Sequence, residues 1–285
     1  MTLSALAIKR APEFSPNHID NDAMILEMTG LELEKQGVAV NYLSEDQLEN
    51  NIPISDKFIF SMARNENSLN YLAGLEKSGV RVFNSAKGVK NCQRENMMNT
   101  FRDNGVLTPQ FITVPTEDYS YAGEIAKNFE RNKLWVKRSK HINHREDIVK
   151  IYSPEELGNL LKEFLGRNIL KACVMEHIDG DEIKFYAVPE ADYWYWYYAN
   201  GNNKNPLDLK FLKKEIFGFA TKFGLNFYGG DAIIDKNGNI YFIDLNDWPS
   251  FAPIRGTAAK KIAEVLYSKL NEHSNVATNY IRRES

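Results

Sequence analysis

The chain of 285 residues holds two cysteines, Cys92 and Cys173. That is too few for a disulfide framework or a cysteine zinc site, and it points to a reducing, cytoplasmic setting. A basic excess is missing: 35 Lys and Arg against 38 Asp and Glu leave a net charge of −3. Neither nucleic acid nor an anionic membrane is therefore expected as the main partner. No run of ~20 apolar residues exists to span a bilayer. The short apolar run at 3–8 comes before Lys9 and Arg10 rather than after them, the reverse of a secretory signal, and it reads as a strand. Neither a Gly-x-Ser-x-Gly elbow nor a Gly-x-Gly-x-x-Gly turn occurs, so the signatures of a serine hydrolase and of a dinucleotide site are both absent.

What is present is ordinary globular material, 43% hydrophobic and 26% charged, without repeats or long linkers. Apolar runs at 3–8, 38–43, 57–62 and 80–83 alternate with helical patterns, one from Asp20 or Asn21 to about 36 and one at 67–78. This alternation predicts an α/β domain with a parallel sheet over 1–90. A smaller α+β lobe is expected over 91–170. It has helices at 94–104 and 122–131, strands at 133–138 and 148–151, and a helix opened by Ser153-Pro154-Glu155-Glu156, a serine cap with Glu156 as the capping-box acid. A second lobe over 171–285 carries strands at 171–176, 182–188 and 193–198, a helix at 208–223, a hairpin and a closing helix at 257–271, with a frayed tail from Ser274. The aromatic run Tyr193-Trp194-Tyr195-Trp196-Tyr197-Tyr198 reads as strand packing.

The hairpin carries the most chemistry. Two apolar runs flank Asp235-Lys236-Asn237-Gly238-Asn239, and Asn-Gly between such runs is a strong hairpin signal. Asp244 and Asn246 stand two apart, so in a strand they share a face, and Asp231 can lie across from them. Two carboxylates and an amide oxygen are ligands that suit Mg²⁺ beside phosphate. A solvated edge hairpin is the alternative, although Asp244 sits in an apolar strand.

These residues resemble the ATP-grasp superfamily. Gly230-Asp231 followed by Asp244-Leu245-Asn246 is similar to its metal signature, and Val174-Met175-Glu176-His177-Ile178-Asp179-Gly180-Asp181-Glu182 to its adenine hinge. Gly105-Val106-Leu107-Thr108-Pro109 is similar to its Gly-x-x-x-Pro helix end, and the likeness covers most of the chain. The nearest flavour is that of RimK-like glutamate-tail ligases and inositol-phosphate kinases. The resemblance implies an ATP-grasp fold behind an N-terminal parallel α/β domain, with ATP and Mg²⁺ as cofactors. It implies Glu176, His177 and Ile178 at the adenine, Glu182 at the ribose, Arg94 and Lys137 at the phosphates, and Asp231, Asp244 and Asn246 at the metal. Arg94 stands where the family has a lysine, and Asp244 where a longer acid is usual.

The glycine-rich phosphate loop of many members is replaced by Arg138-Ser139-Lys140-His141-Ile142-Asn143-His144-Arg145. Its cluster of Lys140, His141, His144 and Arg145 reads either as a phosphate or acceptor contact or as a solvated loop. Lys184 shares a strand face with Glu182, and the resemblance directs it toward the transferred group. Arg255, past the metal asparagine, is expected at the second substrate, with Arg64 reaching the same cleft from the first domain. The expected reaction is ATP-dependent carboxylate–amine ligation through an acyl phosphate. Its partners are a small-molecule carboxylate and an amine, or a peptide terminus, with homo-oligomerisation left open. The alternatives are a kinase acting on a hydroxyl and a nucleotide-binding protein without catalysis.

Overall fold

The structure is a computed structural model and describes residues 3–15, 19–49, 53–130, 133–140, 144–200 and 204–281. The first sheet is parallel, with strands β1 (Ser4–Lys9), β2 (Ala39–Ser44), β3 (Phe58–Ser61) and β4 (Arg81–Phe83) in the order β2-β1-β3-β4. The helices between them are α1 (Ile19–Glu34), α2 (Glu45–Glu49) and α3 (Glu66–Lys77), followed by α4 (Ala86–Asn91). Parallel strands are covered on both faces, so they read as continuous apolar runs. Ala5, Ala7, Phe58 and Phe60 pack on one side, and Leu6, Ile8 and Ile59 on the other.

The second sheet follows α5 (Arg94–Asp103). It contains β5 (Phe111–Pro115), β6 (Leu134–Arg138), β7 (Ile148–Ile151) and β8 (Lys171–Glu176) in the antiparallel order β5-β8-β6-β7. Helices α6 (Ala122–Ala126) and α7 (Pro154–Gly166) cover it. The serine half of the α7 cap is as the sequence implies, with Ser153 Oγ accepting from the Glu156 N–H at 3.1 Å, whereas Glu156 Oε2 accepts from the Tyr152 N–H at 2.7 Å, one residue before the cap position of a capping box. Strand β8 hydrogen-bonds between β5 and β6, so the change of sheet falls in the turn after Glu176 rather than at 170.

The third sheet holds β9 (Asp181–Val188), β10 (Tyr193–Tyr198), β11 (Tyr228–Ile234) and β12 (Ile240–Asn246) in the antiparallel order β10-β9-β11-β12, with α8 (Leu209–Phe223) on its core face. The closing helix α9 (Arg255–Ile281) is longer than the sequence pattern suggests. It leaves the third sheet and buries Ala258, Ile262, Leu266 and Leu270 in the core of the first. No helix among the described residues is long and apolar enough to cross a membrane.

Candidate functional site

The third sheet turns one face to a cleft, and three of its strands align charges there. Lys184 on β9 stands opposite Asp231 on β11, which stands opposite Asp244 on β12. One step along, Gly229 stands opposite Asn246. A β-bulge makes this row. The register slips between Asp231 and Ala232, so Ile243 is an extra residue on β12. Strict alternation from Ile240 and Phe242 would turn Asp244 toward the core. The extra residue re-aims it, leaving Leu245 buried and Asp244 and Asn246 on the cleft side. Gly230 permits the close approach, since a Cβ there would lie 2.2 Å from the Asp244 carbonyl oxygen.

Cations hold both carboxylates. Lys184 Nζ donates to Asp231 Oδ1 at 2.9 Å, and Arg94 Nη2 lies 3.2 Å from Asp244 Oδ1 while Nη1 donates to the Ile243 carbonyl at 2.8 Å. Burial pushes the Asp231 carboxyl pKa upward and the nearby Asp244 charge adds to it, against the pull of Lys184. Burial acts the same way on Asp244, but Arg94, Lys137 and Lys184 override it and hold that carboxyl below its ordinary value. Lys137 on β6 is 8% exposed. Burial and then the Arg94 charge push its pKa down to about 8.

A cavity of about 300 Å³ opens on one side of this row, between the second and third sheets. Trp135, Met175, Ile233 and Ile243 give it apolar walls, and Lys137, Glu176, His177, Ile178 and Glu182 line it too. The end of β8 is pinned: the Glu176 N–H donates to the Gln110 carbonyl at 2.9 Å, and the His177 N–H to the Lys133 carbonyl at 3.1 Å. The Ile178 N–H has no acceptor among the described residues. An apolar slot with an open backbone donor on its rim fits a flat heteroaromatic base. The His177 ring is fixed from both sides, with Trp135 Nε1 donating to Nδ1 at 2.9 Å and Nε2 3.0 Å from Asp179 Oδ1.

A second cavity of about 310 Å³ lies on the other side of the row. Its far wall comes from the first sheet, at the carboxyl ends of β1 and β3. These neighbours lead to opposite sides of the sheet, and such a switch point is where open α/β sheets bind ligands. Arg10 donates to Asp22 Oδ2 at 2.7 Å and to the Trp248 carbonyl at 2.9 Å. Arg64 grips Asp247 Oδ1 with Nε at 3.0 Å and Nη2 at 2.7 Å. Lys140, Lys184, Arg94 and Asn246 face this cavity as well.

No family model matches the chain, and no curated protein matches it. Solved structures do. The D-alanine–D-alanine ligase of Bacillus anthracis superposes with a TM-score of 0.69 at 14% identity, over 95% of this chain and 99% of that one. The D-alanyl-alanine synthetase A of Vibrio cholerae gives 0.72 at 9% identity, over 94% and 98%. The ATP-grasp ligase PsnB, solved with a precursor peptide and AMPPNP, gives 0.65 at 14%, over 95% and 98%. This chain has the ATP-grasp fold. At such identities the likeness establishes the architecture and leaves the chemistry to the residues in the cleft.

Within this fold the cleft gathers Arg94, Lys137, Glu176, His177, Ile178, Glu182, Lys184, Asp231, Asp244 and Asn246. It does not gather Arg255. That guanidinium donates to the Ser250 carbonyl at 3.2 Å and to Asn21 Oδ1 at 2.7 Å, because α9 starts by docking on α1. The expectation of Arg255 at the acceptor is corrected accordingly. Of the basic loop, Lys140 reaches the second cavity, His144 closes a capping box with Asp147, and His141 lies outside the described residues. Sequence reasoning missed Arg10, Asp22 and Asp247. The available signal was position, since Arg10 directly follows β1 and Asp247 directly follows Asn246. Hard-oxygen donors at Asp231, Asp244 and Asn246 fit Mg²⁺. The buried Arg94 Nε, without a partner among the described residues, fits an incoming phosphate oxygen.

Proposed function

We propose that this chain is an ATP-dependent carboxylate–amine ligase of the RimK-like kind, acting in the cytoplasm on a small carboxylate and an amine or peptide terminus. The observation that carries the reading is the charged row Lys184–Asp231–Asp244, closed by Arg94 and set between a base-sized slot and a polar cavity. The base lies between Trp135 and the Ile233–Ile243 wall and meets the Ile178 N–H, with Glu182 accepting from the ribose hydroxyls. Lys137 and Arg94 neutralise the phosphates, Arg94 with a geometry that can hold two oxygens. Asp231, Asp244 and Asn246 would hold Mg²⁺, which would screen the phosphate charge. Lys184, beside Asp231 in the same row, faces the transferred group.

In this reading the substrate carboxylate oxygen attacks the γ-phosphorus, forming an acyl phosphate and releasing ADP. The amine then attacks the acyl carbon, the C–N bond forms, phosphate leaves with its bonding pair, and the amine gives up a proton. Such transfers depend on alignment and charge neutralisation. The second cavity favours a carboxylate over a hydroxyl acceptor. Each carboxylate lining it is engaged by an arginine: Asp22 by Arg10, Asp244 by Arg94 and Asp247 by Arg64. No histidine lines it among the described residues. A hydroxyl needs a base, whereas a carboxylate is already a nucleophile. Incubation with Mg-ATP, a panel of acids and hydroxylamine tests this: hydroxamate formation is expected. A phosphorylated alcohol, or nucleotide binding with no ADP release, overturns it.

A further inference from the structure

The structure carries a second feature, away from both cavities. Strand β10 is an edge of the third sheet. The Ala199 N–H donates to the Glu182 carbonyl at 2.8 Å. With the β9–β10 register, this places Tyr193, Tyr195 and Tyr197 in hydrogen-bonded pairs with β9. The main-chain N–H and C=O groups of Trp194, Trp196 and Tyr198 therefore point outward. Edge strands are commonly protected by a charge or a proline, yet 193–198 has neither. A groove of about 540 Å³ runs beside it, floored by Trp194, Leu209 and Phe217 and edged by Lys210, Lys213 and Lys214.

We infer that this edge and groove dock an extended acidic peptide segment as an added strand. Strand addition supplies main-chain hydrogen bonds, and alternate side chains of the incoming segment fall over the groove. The floor there is apolar, and Leu209 is 46% exposed. Charge selects the partner. Among the described residues Asp192 is the one carboxylate lining the groove, and it is taken by Lys213 at 3.0 Å. Lys210 and Lys214 make no ion pair among the described residues, leaving two cations for carboxylates of the guest. A second copy seated on the same edge sets these lysines against one another, so a foreign acidic segment fits better than self-pairing. None of these residues lines the two catalytic-side cavities, so the inference stands apart from the proposed reaction.

The test uses the full chain and a fluorescein-labelled peptide, Leu-Thr-Glu-Thr-Leu-Thr-Glu, whose leucine and glutamate side chains share one face. Anisotropy is expected to show saturable binding that weakens with salt. The Lys210→Glu/Lys214→Glu double variant should weaken it about tenfold or more, as reversing favourable charge contacts does. A peptide N-methylated on alternate amides, along the side that faces β10, should not bind, and a lysine-for-glutamate peptide should bind weakly. The double variant and wild type should retain the same ATP turnover, since neither lysine touches the cleft. Equal affinity for the methylated peptide, an unchanged affinity in the double variant, or a wild-type dimer that competes with the peptide in light scattering overturns the inference.

Discussion

Glu45 is the residue whose change tests the architecture of the second cavity most sharply. It opens α2, is fully buried, and carries no direct ion pair to a described residue. Its Oε2 accepts from the Ala11 N–H at 2.8 Å, and its Oε1 from the Arg64 and Asn65 N–H groups, both at 2.6 Å. One carboxylate thus ties the segment after β1 to the segment after β3, the two that deliver Arg10 and Arg64. Glu45→Gln keeps an oxygen for two donors but sets an amide N–H₂ against the Ala11 N–H. One buried unsatisfied donor costs about 1–3 kcal/mol, which for a chain of this size lowers Tm by about 2–12 °C. Glu45→Ala frees all three donors and costs about 3–9 kcal/mol. Circular dichroism melts read both. Burial raises the Glu45 pKa, outweighing its three backbone N–H donors. The folded chain then binds more protons than the unfolded one above about pH 4.3, so the stability contributed by this site falls as pH rises through that window and the folded pKa. Glu45→Gln should flatten that slope. A Glu45→Gln melt within about 1 °C of wild type, short of the loss of even one buried bond, refutes the reasoning.

Other outcomes follow from the same geometry. Lys137→Met removes a buried charge-assisted contact worth about 1.5–3 kcal/mol, so the ATP KM should rise roughly 10- to 100-fold with far-ultraviolet circular dichroism unchanged. Because the free Lys137 titrates at about 8, wild-type ATP affinity should decline above that pH, and the variant should lack the decline. Burial, then Lys150 and Lys133, push the His177 pKa down. The folded state therefore takes up fewer protons than the unfolded one below about pH 6.5, and stability should drop as the solution is acidified. His177→Asn keeps an oxygen to accept from Trp135 Nε1. Its melting temperature should fall less than that of wild type between neutral and mildly acidic pH; parallel falls contradict the assignment.

Local signals carried much of the architecture. The parallel domain was readable because buried strands are apolar on both faces, and the α7 cap because Ser153 and Glu156 interact within one turn. Gly238 at φ +84° closes the hairpin that Asn-Gly announces. The gathering of Glu176, Ile178, Asp231, Asp244 and Asn246 about one cleft follows segments that stood out as motifs. What escaped depended on partners distant in sequence. A period-of-two reading gives no warning of the bulge at Ile243 that turns Asp244 to the cleft. The placing of β8 between β5 and β6 is a long-range pairing choice. Arg255 looks like a loop-end arginine aimed at a substrate, and only the docking of α9 on α1 shows its guanidinium meeting Asn21. Arg10, Asp22 and Asp247 come from segments that fold together only in three dimensions.

The proposed chemistry depends on Asp231 and Asp244 acting together to couple a divalent ion to nucleotide binding. Calorimetric titration of ATP into wild type and into Asp231→Asn/Asp244→Asn, each with Mg²⁺ and with EDTA, tests this directly. Mg²⁺ should tighten ATP binding to wild type and make no difference to the double variant, while both proteins stay folded. An equal gain from Mg²⁺ in the two proteins, or no ATP binding by wild type under either condition, contradicts the account.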